Sequence, residues 1–159
     1  GCGTGTNAIW LAGKGFRVPA VDISSLAVEK ARRKASPSGA AVDFRTADIL
    51  GDEIPNGPFG FVFDRGCLHS IEESGRRAAF VSRIYRQMSP AAQWLSLIGS
   101  KDGPEREKGP PRWSALEIAQ AVEAHFEILH LATIHFDSDQ PDPARAWACL
   151  MRRREGGGR

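Results

Sequence analysis

Gly1-Cys2-Gly3-Thr4-Gly5, followed by Thr6-Asn7-Ala8-Ile9-Trp10, decides the fold of this 159-residue chain. Alternate glycines let a backbone turn sharply and bring its amides close to a bound group. The apolar stretch 7–14 that follows reads as a short helix, stopped by Gly15. The next segment, FRVPAVDI at 16–23, reads as a buried strand despite Pro19, which cannot donate to a ladder. It delivers Asp22 to its carboxyl end. A glycine turn, a helix, a strand and a terminal carboxylate, in that order, describe half of a nucleoside-binding α/β unit.

Working outward, the alternation of strand and helix continues. Ser24 or Ser25 caps a helix running to Ala35, with Arg32, Arg33 and Lys34 at the end that favours cations. Residues 42–46 alternate as a strand ending near Asp48. Residues 51–60 hold three glycines and two prolines and read as loop. Residues 59–64 form a second apolar strand. The spacing of Phe80, Val81, Ile84, Tyr85 and Met88 predicts a helix over 71–88, ended by Ser89-Pro90. A strand follows at 93–98, then a long loop at 99–112. Ser114 and Glu117 have capping-box spacing and open a helix to about Ala124. The strands at 126–136 and 144–152, joined by a turn at 139–143, pair antiparallel. The expected fold is therefore α/β and Rossmann-like: a mostly parallel twisted sheet flanked by helices, with a C-terminal antiparallel hairpin. One domain is expected over 1–152 and a disordered tail over 153–159.

Composition narrows the function classes. Apolar residues make up 42% and charged residues 25%, with a net charge of +2, part of it in Arg152, Arg153, Arg154 and Arg159. So small an excess gives no argument for nucleic acid. No apolar run has the length of a membrane span. Cys2, Cys67 and Cys149 lie far apart and form no CxxC pair, which argues against a zinc site or disulfide framework and fits a reducing, cytoplasmic setting. His125, His130 and His135 do not share a face at their spacing, so no metal site is expected.

Spacing within the glycine turn discriminates between cofactors. A dinucleotide fold calls for GxGxxG, with the third glycine beside a pyrophosphate. That position here is Thr6, and no P-loop lysine follows. A nucleoside cofactor without phosphates fits better than NAD or ATP. An NAD-linked oxidoreductase is the alternative enzyme reading. A non-catalytic or truncated nucleoside-binding fragment is the alternative from another class.

With GCGTG at 1–5, VDIS at 21–24, DIL at 48–50 and FDRGCLH at 63–69 in view, the chain resembles the class I S-adenosylmethionine-dependent methyltransferases. The turn at Asp64-Arg65-Gly66 looks most like small-molecule enzymes of the thiopurine methyltransferase-like group. The resemblance implies that Gly1, Gly3 and Gly5 line the methionine and ribose portion of S-adenosylmethionine. It places Asp22 on the ribose hydroxyls and Ile23 on the adenine. It gives Asp48 the adenine amino group and Ile49 the ring face. Asp64, Arg65 and Gly66 would stand beside the sulfonium.

His69 is the candidate catalytic residue, as a base for a thiol, hydroxyl or amine acceptor. Arg65 and Arg112 are candidate clamps for an anionic substrate, and Trp113 a candidate lid over a flat one. Trp10, Trp94 and Trp147 are assigned to the core. The expected partner is a small-molecule substrate, with neither nucleic acid nor membrane. The family's motif also carries an acidic residue two positions before the first glycine, on a strand that would lie before Gly1. That departure predicts two strands without their shared neighbour. Either the chain is a fragment or another segment fills the place, for example from a second chain, which would make an oligomer.

Overall fold

The computed structural model describes residues 1–104, 109–136 and 142–156. They fall into two compact units, Gly1–Asn56 and Gly57–Arg159.

In the first unit, α1 (Thr6–Gly13) leads to β1 (Val18–Asp22), α2 (Ser25–Ala35), a 3-10 turn (Ser36–Ser38) and β2 (Val42–Thr46). β1 and β2 pair in parallel, from Val18 opposite Val42 to Asp22 opposite Thr46. Pro19 takes its place in this register, and β1 has no second strand partner among the described residues. An edge strand is where a residue without an N–H is tolerated. The core is Ala8, Ala20, Val28, Ala31, Ala35 and Phe44. Four alanines let the helices approach the two-stranded sheet closely around one phenyl ring. Ser24 caps α2 as its sequence position predicts, accepting from the Ala27 amide at 3.2 Å. Trp10 does not join this core. It is 62% exposed, with the Lys14 ammonium 5.5 Å from its ring centroid. An eight-residue helix has a narrow inner face, and Ala8 occupies it.

In the second unit, β3 (Phe59–Arg65), a 3-10 turn (Leu68–Ser70), α3 (Ser74–Gln87), β4 (Met88–Gly99), α4 (Ala115–Val122), β5 (Phe126–His135) and β6 (Arg145–Arg153) follow in order. The strand order is β3-β4-β6-β5. β3 and β4 are parallel, while β6 is antiparallel to both β4 and β5. The C-terminal hairpin expected from sequence is present. Its turn at 139–143 falls mostly outside the described residues.

Several boundaries shift for physical reasons. The helix expected from Ile71 begins at Ser74, because the chain first spends Leu68–Ser70 in a tight 3-10 turn. Met88 already belongs to β4, but the register jumps from Phe59 opposite Met88 to Phe61 opposite Gln93. Ala91 sits inside that irregularity at φ 58°. Regular pairing therefore starts at Gln93, where the alternation of sequence first becomes clean. β6 runs through Arg153, one residue past the expected domain edge, and the Arg154 amide donates to the His125 carbonyl at 3.0 Å. Residues 157–159 lie outside the described residues.

The second unit's core gathers Leu68, Phe80, Val81, Trp94, Ile118, Phe126 and Met151. The Trp94 ring meets Phe80 at 6.0 Å and Phe126 edge-on at 5.2 Å. Trp113 is 3% exposed and lies beneath the Arg77 guanidinium, so it is a wall and not a lid. Its backbone explains why: the Trp113 amide donates to Gly99 and its carbonyl accepts from Lys101, drawing it against the end of β4. The Trp147 indole, half-buried, donates to the same carbonyl at 3.0 Å.

Candidate functional site

The first unit presents its candidate residues at the carboxyl ends of two parallel strands, the edge where α/β sheets bind ligands. Gly3 and Gly5 both adopt the left-handed conformation, at φ 54° and 79°. Gly5 needs it twice over. A Cβ there would stand 2.7 Å from the Phe44 ring and 2.9 Å from the Ala31 methyl. The absence of a side chain lets the turn press onto β2. We expect Gly5→Ala to lower stability by about 1–3 kcal/mol through left-handed strain and overpacking. Thermal unfolding measures it, and an unchanged midpoint would show that the phenyl ring simply moves aside.

Asp22 ties this turn to β1. One carboxylate oxygen accepts from the Gly3 amide at 2.7 Å and the other from the Ser24 amide at 2.9 Å. A carboxylate has about four acceptor sites. Two backbone bonds therefore fix its orientation and leave capacity for two hydroxyls. The Cys2 amide donates to the Val21 carbonyl at 2.7 Å, so the start of the turn lies along the outer edge of β1. Ile23, next in sequence, is 68% exposed, an apolar surface beside a fixed carboxylate. A Cβ placed on Gly3 would meet no atom within 4 Å. The turn thus borders open space on its inner side.

Asp48 follows β2 in an Asx turn. Its carboxylate accepts from the Leu50 amide at 2.9 Å, and its own amide donates to Asp52 at 2.8 Å. Ile49 is half-buried in the same turn. These features fit a nucleoside: hydroxyl acceptors, an apolar platform and a further carboxylate, with no cation for a phosphate among them.

In the second unit the expected residues divide. Asp64, assigned by resemblance to a wall facing the cofactor, is 8% exposed and turned inward. One oxygen accepts from the Cys67 and Leu68 amides at 3.1 and 3.2 Å, and the other from the Trp94 indole at 2.9 Å. It builds the 3-10 turn and anchors the core. Arg65, the last residue of β3, is exposed, with its guanidinium 5.2 Å over the Phe136 ring. Gly66 turns the chain at φ 85°.

His69 is 1% exposed. Its Nδ1 accepts from the Gly99 amide at 2.9 Å, and burial lowers its pKa, outweighing the opposing pull of Asp64. Its ring lies 6.2 Å from that of Phe136. Burial likewise pushes the Cys149 thiol up to about 12, leaving it a core residue and not a nucleophile.

Gly99 and Phe136 also line a hollow of about 190 Å³, together with Ser100, Gly103, Pro104, Gly109, Pro110, Arg112, Ala144 and Arg145. Arg112, a candidate clamp by sequence, spends its guanidinium on the Gly103 and Pro104 carbonyls. Arg145 similarly donates to the Asp102 carbonyl at 3.0 Å. Both shape the loop that walls the hollow. A larger hollow of about 330 Å³ lies at Ala91, Glu127 and Arg152–Glu155, toward the opposite end of β4, and contains none of the candidate residues.

Sequence reasoning did not single out Gly99 or Phe136. Gly99 acts through its backbone amide, which carries no signal in the sequence, and Phe136 read only as the end of a strand.

Comparison with known proteins identifies the family. Residues 1–91 match the methyltransferase domain family. An uncharacterized methyltransferase of Schizosaccharomyces pombe is 39% identical over 116 residues, covering 72% of this chain and 80% of that protein. A 2-heptyl-1-hydroxyquinolin-4(1H)-one methyltransferase of Mycobacteroides abscessus is 27% identical over 150 residues, covering 93% of this chain and 61% of the relative. A solved structure concerned with conversion of a disulfide bond into a thioacetal group during echinomycin biosynthesis superposes with a TM-score of 0.83. It is 26% identical, covering 96% of this chain and 72% of that one. These similarities reach the family and not the thiopurine-like subgroup, and they do not favour the oxidoreductase alternative. With its family match over more than half its length and its α/β strand pattern, the chain belongs to the class I S-adenosylmethionine-dependent methyltransferase family.

Proposed function

We propose that this chain methylates a small-molecule nucleophile and holds S-adenosylmethionine through Gly1, Gly3, Gly5, Asp22, Ile23, Asp48 and Ile49. The observation that carries the reading is the bond from the Gly3 amide to the Asp22 carboxylate. It fixes the only strand-end carboxylate in direct contact with the glycine turn among the described residues, beside open space and an exposed isoleucine. Asp22 takes the ribose hydroxyls, Ile23 packs on the adenine, and Asp48 accepts from the adenine amino group with Ile49 at the ring.

When bound, S-adenosylmethionine supplies a methyl group on a sulfonium, whose C–S electron pair returns to sulfur as the acceptor bonds to carbon. The protein's share is alignment and exclusion of water. The relative named for a hydroxyquinolone supports a small organic acceptor.

Calorimetric titration tests the cofactor assignment: S-adenosylhomocysteine binds with one site per chain and NADH does not. Binding of NADH without S-adenosylhomocysteine overturns it. Acceptor profiling with thiols, hydroxyquinolones and amines, read by mass spectrometry, then identifies the acceptor atom.

A further inference from the structure

Asn56 and Gly57 form a reactive pair that methyl transfer leaves unused. Asn56 is the last residue of the first unit, and Gly57 is the first of the second. The chain has two asparagines, and the other, Asn7, precedes an alanine. Asparagine is chemically labile, because the next backbone nitrogen can attack its carboxamide. Glycine after it favours that attack. It sets no side chain beside the nitrogen and leaves the backbone free to rotate.

The local structure leaves the pair unhindered. Both residues are exposed, in a connection that belongs to no helix or strand. Asn56 adopts the left-handed conformation at φ 71°, which asparagine tolerates. Among the described residues, nothing hydrogen-bonds to the Gly57 amide or to the Asn56 carboxamide. Rotation about the Asn56 Cα–C bond brings that nitrogen onto Cγ, and it breaks no hydrogen bond of either group. Asn7 is the internal contrast. It lies in α1, whose helical dihedrals hold the next nitrogen away from the carboxamide. That nitrogen belongs to Ala8, which is buried.

We infer that Asn56 is a self-modification site of the folded chain, closing onto the Gly57 nitrogen and opening to aspartate and isoaspartate. The step needs only solvent. Hydroxide takes the Gly57 amide proton, the nitrogen bonds to Cγ, and the Cγ–Nδ2 bond breaks. Nδ2 leaves as ammonia with a proton from water, which restores the hydroxide. A second water opens the succinimide ring. Attack at Cγ gives aspartate. Attack at the backbone carbonyl gives isoaspartate, with the main chain running through the former side chain. Water is consumed, ammonia is released, and nothing is oxidised. Each product carries a carboxylate in place of the carboxamide, so the formal net charge of +2 falls by one. The inference goes beyond the methyl-transfer reading and does not depend on it.

Incubation of the full chain in mildly alkaline buffer, followed by brief trypsin digestion and mass spectrometry, tests it. Trypsin places the two asparagines on separate peptides, 1–14 and 46–65. Peptide 46–65 is expected to give way to two products of equal mass that chromatography separates. Each is heavier by the exchange of NH₂ for OH. Peptide 1–14 is expected to stay unchanged over the same period. No conversion of 46–65, or equal conversion of both peptides, overturns the inference. A single aspartate product would mean direct hydrolysis and also overturns it. Circular dichroism checks that the incubated chain stays folded. Conversion seen only after urea unfolds the chain removes the claim for the folded state.

Gly57→Ala tests the attacking nitrogen. A Cβ there would stand 3.4 Å from the Phe59 ring, an ordinary contact, so the variant is expected to fold. Its conversion is expected to be about fivefold slower, from the freedom that glycine loses. An unchanged rate would show that Gly57 takes no part in the closure.

Discussion

Asp64→Ala is expected to destabilise the second unit by about 3–5 kcal/mol, the largest effect of any single truncation considered for this chain. The carboxylate accepts three hydrogen bonds, from the Cys67 and Leu68 amides and the Trp94 indole. Leu68 and Trp94 are fully buried. Water cannot replace the lost acceptor without opening the core, and each stranded buried donor costs about 1–3 kcal/mol. Removal also frees the 3-10 turn that sets His69 under Gly99. Unfolding in urea, followed by the fluorescence of the four tryptophans, Trp94 among them, measures the change. Asp64→Asn separates the contributions, because its amide oxygen still accepts from the turn while its NH₂ opposes the indole N–H, or the reverse. It is expected to cost less than the alanine variant. A midpoint for Asp64→Ala equal to that of the unaltered chain would mean that the turn and indole find other acceptors.

The second large effect concerns binding. Asp22→Ala is expected to weaken S-adenosylhomocysteine by about 30- to 1,000-fold, corresponding to the loss of about 2–4 kcal/mol from hydrogen bonds to an ionised acceptor. Two contributions combine. The ribose hydroxyls lose their carboxylate, and the glycine turn loses the Gly3 tether that holds it against β1. Asp22→Asn retains one oxygen, so it keeps either the tether or a hydroxyl acceptor and falls between. Calorimetry gives the affinities, and circular dichroism checks that the first unit is folded. Asp22 is only half-buried and outside the apolar core, so folding is expected to survive. Equal affinity in the two variants and the parent would remove Asp22 from the cofactor site, and with it the observation on which the assignment rests.

These predictions differ in how they could be found. Asp22 stood out because the pattern around it is local: glycines, a short helix, a strand and a carboxylate at the strand's end. The structure then supplied its bond to Gly3. Asp64 was legible as a motif residue but misplaced in role. Its sequence neighbours do not reveal that an indole thirty positions away donates to it. Trp10 and Trp113 went wrong for the same reason in opposite directions. An aromatic residue on a short helix was assigned to a core that alanines fill, and one beside a long loop was assigned to a lid although the backbone of Gly99 and Lys101 draws it inward.

β1 pairs only with β2, and β3 only with β4, among the described residues. Both are edge strands by hydrogen bonding. An edge strand presents unpaired N–H and C=O groups, and on β1 the Cys2 amide covers the Val21 carbonyl.

The sequence by itself determined the strand–helix alternation, the C-terminal hairpin, and the capping of α2 and α4. All of these rest on periodicity or on residues within a few positions of one another, where local sterics and hydrogen bonding act. Tertiary structure alone decided that Asp64 faces inward, that Phe136 lies between Arg65 and His69, and that the Gly99 amide donates to His69. Each of those depends on a partner brought from a distant strand or loop. The decisive one is a backbone amide at Gly99, and every non-proline residue has such a group, so no choice of side chain announces it.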